Sequence, residues 1–179
     1  MKTDYLKHNI IPVMILALGL ILCGCGNGSS MGKMEKNAME PVVDTMNRQG
    51  NSFTLLDDVL IIYGTNDKKE EKVYVFVEYN GEKQNGHNGG SVAMYFENTY
   101  LGEYGGDSQS KLDVKAFANS GFSEDMTHIR VAASCYTYYL QGKLSARDSF
   151  LNNYIKVEKE QAADYILKKY GKTLNYQTD

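Results

Sequence analysis

Disulfide-forming capacity is what this chain has least of. It carries three cysteines in 179 residues, and two of them, Cys23 and Cys25, lie close together near the start. No disulfide framework follows, so stability has to come from packing. Tryptophan is absent, against fourteen tyrosines and six phenylalanines. Tyrosine can line a carbohydrate or peptide surface, because its ring stacks while its hydroxyl bonds. Here its spread along the whole chain reads as compositional bias instead. The 19 basic and 22 acidic residues, net −3, are interspersed without a basic stripe. That excludes a phosphate-neutralising face, and nucleic acid is not an expected partner. Catalytic signatures are missing too: there is no H-E-x-x-H, G-x-S-x-G, Walker A or EF-hand loop. His87 sits in a Gly-rich loop with no Asp or Cys at ligand spacing, and His128 stands beside Asp125 in the first turns of an expected helix. Neither implies zinc. No catalytic set, metal or cofactor is assigned.

The longest apolar run covers residues 10–22, and extending it to Cys25 gives only 16 residues. A spanning helix needs about 20. Residues 1–9 carry Lys2, Lys7 and His8 against a single acid, Asp4. A mildly positive start before an apolar run of this length is the pattern of a cleaved signal peptide. The run closes on Leu22-Cys23-Gly24-Cys25. This resembles the lipobox of bacterial lipoprotein precursors, in which a small residue precedes a cysteine that is lipidated and becomes the new N-terminus. Gly24 meets that steric demand, Leu22 stands three residues before Cys25, and Cys23 departs from the usual choice between them.

The resemblance implies a signal peptide over 1–24, lipidation of Cys25 and a location on the extracytoplasmic side of the membrane. It also implies two acyl chains, enough for stable anchoring at about 0.8 kcal/mol per buried methylene. Residues 25–31, with Gly26-Asn27-Gly28-Ser29-Ser30, read as a flexible tether. Without residues 1–24 the chain keeps 155 residues, 17 basic and 21 acidic. That is enough for one domain, over 32–174, with a tail at 175–179. Cys135 reads as a buried, inert thiol.

In the domain, residues 31–49 predict a first helix, with Met34, Ala38, Val42, Thr45 and Met46 at spacings of three and four. Pro41 predicts a kink or a split into two short helices. Three strands follow, at 59–63, 72–80 and 91–100. In the second, Val73, Val75, Val77 and Tyr79 alternate with Tyr74, Phe76 and Glu78; in the third, Val92, Met94 and Phe96 alternate with Ala93, Tyr95 and Glu97. Both are apolar on two faces, so helices should cover each side of the sheet. Gly- and Asn-rich connections predict an antiparallel meander, and residues 111–117 read as a fourth strand. Ser123 caps a helix with the stripe Met126, Ile129, Ala133, Tyr136 and Leu140, ended by Gly142. Ser145, with Asp148 three residues on, caps another that runs through Phe150, Tyr154, Val157, Gln161, Tyr165 and Ile166 to Tyr170, where Gly171 stops it. The expected fold is α+β: an N-terminal helix, an antiparallel meander of three or four strands, and a C-terminal helical hairpin. In architecture alone this resembles small cystatin-like domains, and no function follows from that.

Candidate functional features are few. The Gly-rich loops at 80–90 and 101–110 are the first places to look for a binding surface. Glu78 and Glu97 lie inside apolar strands; facing each other across the sheet they would raise one pKa and mark a site. Asp57-Asp58 and Glu70-Glu71 read as solvated charges in turns. The expected function is a membrane-tethered, non-enzymatic binding or accessory module of the cell envelope, with an envelope protein or peptide as partner. One alternative is a small envelope-acting hydrolase or transferase, which needs two of Glu78, Glu97, His87 and Cys135 within hydrogen-bond reach in a cleft. Another is a surface-exclusion lipoprotein that occludes a receptor.

Overall fold

The computed structural model describes residues 30–81, 90–105, 126–144 and 150–178. The signal segment, the tether through residue 29 with Cys25, His87, the strand expected at 111–117, Ser123, Asp125, Ser145 and Asp148 lie outside them. Residues Met31–Asp179 form one compact unit.

In chain order the described elements are α1 (Lys33–Gln49), a short 3-10 turn (Gly50–Ser52), β1 (Thr54–Leu55), β2 (Val59–Thr65), β3 (Glu71–Asn80), β4 (Ser91–Phe96), β5 (Thr99–Gly105), α2 (Met126–Leu140), β6 (Leu151–Val157) and α3 (Lys159–Tyr170). The strands form one antiparallel sheet in the order β5-β4-β3-β2-β6, with β1 also paired to β3. This is an α+β fold with a meander from β2 to β5.

Alternation along β3 and β4 decides the layers. Val75, Val77 and Tyr79 join Ala93 and Tyr95 on one face, packed against Ala38, Met39 and Val42 of α1 and Ala162 and Ile166 of α3. Tyr74 and Phe76 join Val92 and Met94 on the other, against Ile129, Ala132, Cys135 and Tyr136 of α2. Helices therefore cover both faces, as two-sided apolar strands require. Each fully buried aliphatic or Phe side chain contributes about 1.5–3 kcal/mol.

Both later helices stop where the sequence says they should. Gly142 has φ 64°, its N–H bonds to the Tyr139 carbonyl at 2.9 Å, and the Lys143 N–H bonds to the Tyr138 carbonyl at 2.9 Å. That pair is a Schellman cap. Gly171 has φ 65° and its N–H bonds to the Leu167 carbonyl at 3.0 Å.

Four expectations are corrected. Pro41 does not split α1, which is continuous over Lys33–Gln49. Proline there removes the bond to the carbonyl of Asn37, an exposed residue, while Pro41 itself is buried with Val42 and Val43, so packing wins. The strand expected at 91–100 is two strands, turned at Glu97-Asn98 with Glu97 at φ 53°, and the second takes in residues 101–105 of the loop expected at 101–110. The remainder of that loop lies outside the described residues, together with 82–89 of the loop expected at 80–90. The helical hairpin is not formed as expected: residues 151–157 make β6 beside β2, and the helix begins only at Lys159. Asn152, Asn153, Ile155 and Val157 are poor helix formers, and pairing with β2 takes them. Finally, the expected tail is tied to the sheet. Leu174 is buried, the Leu55 N–H donates to the Asn175 carbonyl at 2.9 Å, and the Gln177 N–H donates to the Leu55 carbonyl at 2.8 Å.

Candidate functional site

The site begins with an interruption in a strand. β1 and β2 run along the same edge of β3, but between the pairs Leu55↔Tyr79 and Leu60↔Phe76 the residues Leu56, Asp57, Asp58 and Val59 face only Val77 and Glu78. The surplus is a bulge, which re-aims the side chains on it. Leu56 stays tied to β3, its N–H donating to the Glu78 carbonyl at 2.8 Å. Asp57 and Asp58 are carried toward β6, where the Lys156 Nζ lies 3.3 Å from Asp57 Oδ1 and 3.6 Å from Asp58 Oδ2. Asp58 Oδ1 also accepts from the Lys159 N–H at 3.2 Å, so it caps α3 from a hundred residues upstream.

Glu78 enters this corner from β3, on the face that α2 covers. The Tyr136 hydroxyl donates to its Oε2 at 3.3 Å. Together these residues line a small cleft of about 30 Å³, with Leu60 and Phe76 below and Tyr139 and Leu140 beside it. Burial pushes the Glu78 carboxyl above its ordinary value; the Tyr136 hydrogen bond and Lys156 oppose this, and the Asp57 charge adds to it. Burial works against the Lys156 charge, but Asp57 and Asp58 outweigh it and hold that ammonium above its usual value. The Tyr136 hydroxyl is held far above the usual phenol range by burial and by Glu78. Around the cleft, Tyr139 meets Tyr154 edge-to-face at 5.1 Å, while Tyr154 and Leu140 are 53% and 56% exposed.

This cleft is small for chemistry on an organic substrate, since ligand pockets usually run to roughly 300–1,000 Å³. Its volume suits ordered water. Among the described residues no group of three or more His, Cys, Asp or Glu is placed to hold a metal ion. What the corner offers is a charge imbalance, three carboxylates around one ammonium, bordered by exposed apolar side chains.

Of the four groups the sequence offers for catalysis Glu78 lines this cleft, and Asp57 and Asp58, read from the sequence as solvated charges, line it as well. Glu97 does not face it: its N–H bonds to the Val73 carbonyl, five residues along β3 from Glu78, or about 17 Å away at the strand rise. It sits exposed on the rim of a separate groove of about 430 Å³, floored by Met34, Ala38, Val73 and Val75. Cys135 is buried on the sheet-facing side of α2. His128 is half-buried, with Nδ1 2.7 Å from the Tyr74 hydroxyl and its ring stacked on Phe96 at 3.8 Å. It locks α2 to the sheet. Glu78 and Glu97 are therefore not brought together, and His87 lies outside the described residues.

The opposite face carries a polar network that composition did not reveal. The Tyr95 hydroxyl donates to Asp44 Oδ2 at 2.9 Å, and the Thr45 hydroxyl is shared between the Pro41 carbonyl at 2.9 Å and the Tyr95 oxygen at 2.8 Å. Arg48 bonds Asp44 at 2.7 Å and lies over the Tyr100 ring at 4.0 Å. Gln49 Nε2 donates to the Tyr79 hydroxyl at 3.0 Å, which donates in turn to Glu103. Burial, the Glu103 charge and its hydrogen bond push the Tyr100 hydroxyl up to about 12, against the pull of Arg48. These tyrosines bury their rings and satisfy their hydroxyls, which is a packing role.

Asp57, Asp58, Tyr136, Tyr139, Tyr154 and Lys156 are the site residues that sequence reasoning missed. A strand bulge has no local signature, and Tyr154 and Lys156 read as helical. Compared with protein-family models, characterised proteins and solved structures, the chain matches none.

Proposed function

We infer that this chain is a membrane-tethered extracytoplasmic lipoprotein whose folded domain acts as a non-enzymatic binding or accessory module of the cell envelope. The observation that carries this reading is the order of its parts. An apolar run ends at Gly24-Cys25, a Gly/Ser-rich stretch follows, and a compact unit starts at Met31, six residues after the lipidation site. A tether of six residues reaches about 20 Å, enough to hold a folded body clear of the headgroups. No helix among the described residues, which begin at Ser30, is long and apolar enough to cross a membrane.

Binding rather than catalysis is favoured by the size of the corner just described, whose cleft of about 30 Å³ is small for an organic substrate. Intact-mass measurement of native material tests the anchor. The expected species begins at Cys25 and carries a diacylglyceryl group, and Cys25→Ala moves the protein from the membrane to the soluble fraction. A chain that still begins at Met1, or one without fatty acid, refutes the reading.

A further inference from the structure

The geometry points to the bulge corner as the docking surface for a cationic segment of a partner protein, with a Lys or Arg head meeting Asp57 and Glu78 while its apolar neighbours lie on Leu140 and Tyr154. This rests on the binding-module reading and names the class of partner.

Two features of the surface support it independently. The first is exposed apolar area in one place. Among the described residues five large hydrophobic side chains are exposed; of these Leu140 lines the cleft, and Tyr154 stands just outside its lining, edge-to-face with Tyr139, which lines it. Clustered apolar area bordered by polar groups marks an interaction site, whereas scattered exposed residues do not. The second is charge complementarity. The described lining residues supply three carboxylates and one ammonium, and Lys156 is already drawn to Asp57 and Asp58. A second cation brought by the partner relieves the repulsion between Asp57 and Glu78. An anionic partner would add to it. Asp57 stays accessible, with about half of its side chain exposed.

A short peptide of alternating lysine and serine with one central phenylalanine, its glutamate–serine counterpart, and the full chain in detergent make the test, with empty micelles as blank. The lysine peptide is expected to bind and the glutamate peptide not to. The double variant Asp57→Asn/Glu78→Gln should weaken binding by about tenfold, as loss of close charge pairs does. Tyr154→Ser should weaken it as well. Asp58 is left intact in these variants because it caps α3. Neutralising exposed acids elsewhere, with Glu160→Gln/Asp164→Asn on α3, should leave affinity unchanged. Where the double variant melts below the assay temperature, Asp57→Asn alone carries the comparison, since that side chain is exposed. Equal binding by wild type and the corner variants overturns the proposal, as does equal weakening by the α3 control or no binding of the lysine peptide. Failure here with fatty acid still present on Cys25 removes this surface alone. Loss of the anchor with peptide binding intact removes only the tether.

Discussion

Gly64→Ala should damage this fold far more than its chemistry suggests. Gly64 lies within β2, opposite Leu151, at the point where the register with β6 shifts. A Cβ built there stands 1.6 Å from the Phe150 carbonyl oxygen, 2.5 Å from its carbon and 3.1 Å from the Leu151 Cα. All three atoms are backbone, so no rotamer relieves the clash. Restoring an ordinary contact of about 3.5 Å requires β6 to withdraw by about 2 Å at this end. Leu151, wholly buried, is drawn out with it. Overpacking of this kind costs about 1–3 kcal/mol, and losing part of the Leu151 burial adds about 1 kcal/mol. The expected loss is therefore about 2–4 kcal/mol, or roughly 10 °C in Tm for a domain of this size. Gly64 is not among the described glycines at positive φ, so backbone strain is not the cause. Gly171 supplies the contrast. It has φ 65° and ψ 23°, in the left-handed helical region, and a methyl added there meets nothing within 4 Å, so Gly171→Ala should cost only the left-handed penalty of about 1 kcal/mol. Urea titration of both variants measures the difference. A Gly64→Ala protein within about 0.5 kcal/mol of wild type, or one more stable than Gly171→Ala, refutes the close approach of the two strands.

Glu78→Gln tests the electrostatics of the corner. The carboxyl is raised in the fold, so its contribution is fully present below its ordinary value of 4.5 and is lost as pH rises through the folded value. The amide keeps an acceptor for Tyr136 and carries no charge. Glu78→Gln should match wild type at pH 4 and exceed it at pH 7.5, by no more than about 1 kcal/mol because water screens this half-open site. A variant less stable than wild type at pH 7.5 would sink that account. Asp58→Ala should cost about 1 kcal/mol through the lost cap on α3 and speed amide exchange at Lys159, while Asp57→Ala should cost less. Equal effects of the two substitutions on that amide would show that Asp58 is not the cap.

Much of the fold was legible in the chain because its signals are local. Alternation along β3 and β4 gave two apolar faces, and both came out covered by helices. Gly142 and Gly171 ended their helices at positive φ. The misreadings fall where tertiary contacts overrule a local pattern or where a turn lacks its usual residue. Gly64 reads as the end of a strand, yet it lies inside β2 because a neighbouring backbone needs the space. Phe150, Tyr154 and Val157 sit at helical spacing, yet hydrogen bonds to β2 make that stretch an edge strand. Glu97-Asn98 lacks the glycine that would announce a tight turn, so β4 and β5 read as one run.

The corner was harder to foresee because it is assembled from four segments, each unremarkable alone. Asp57-Asp58 reads as a solvated pair, Tyr136 and Leu140 as core positions, and Tyr154 and Lys156 as helix. The one trace in the sequence is Glu78, an acid on a face that otherwise buries Tyr74 and Phe76. The question it raises was the right one, but the answer lay in a bulge on the neighbouring strand rather than in Glu97. Once these segments meet, the local field has one dominant sign. Asp57, Asp58 and Glu78 are joined by the C-terminal end of α2 at Leu140, whose peptide dipoles add partial negative charge there. Lys156 offsets one of these contributions and no more. A surface built this way repels acidic groups at short range and holds a cation against an apolar border, so the sign of its partner follows from how the strands pair.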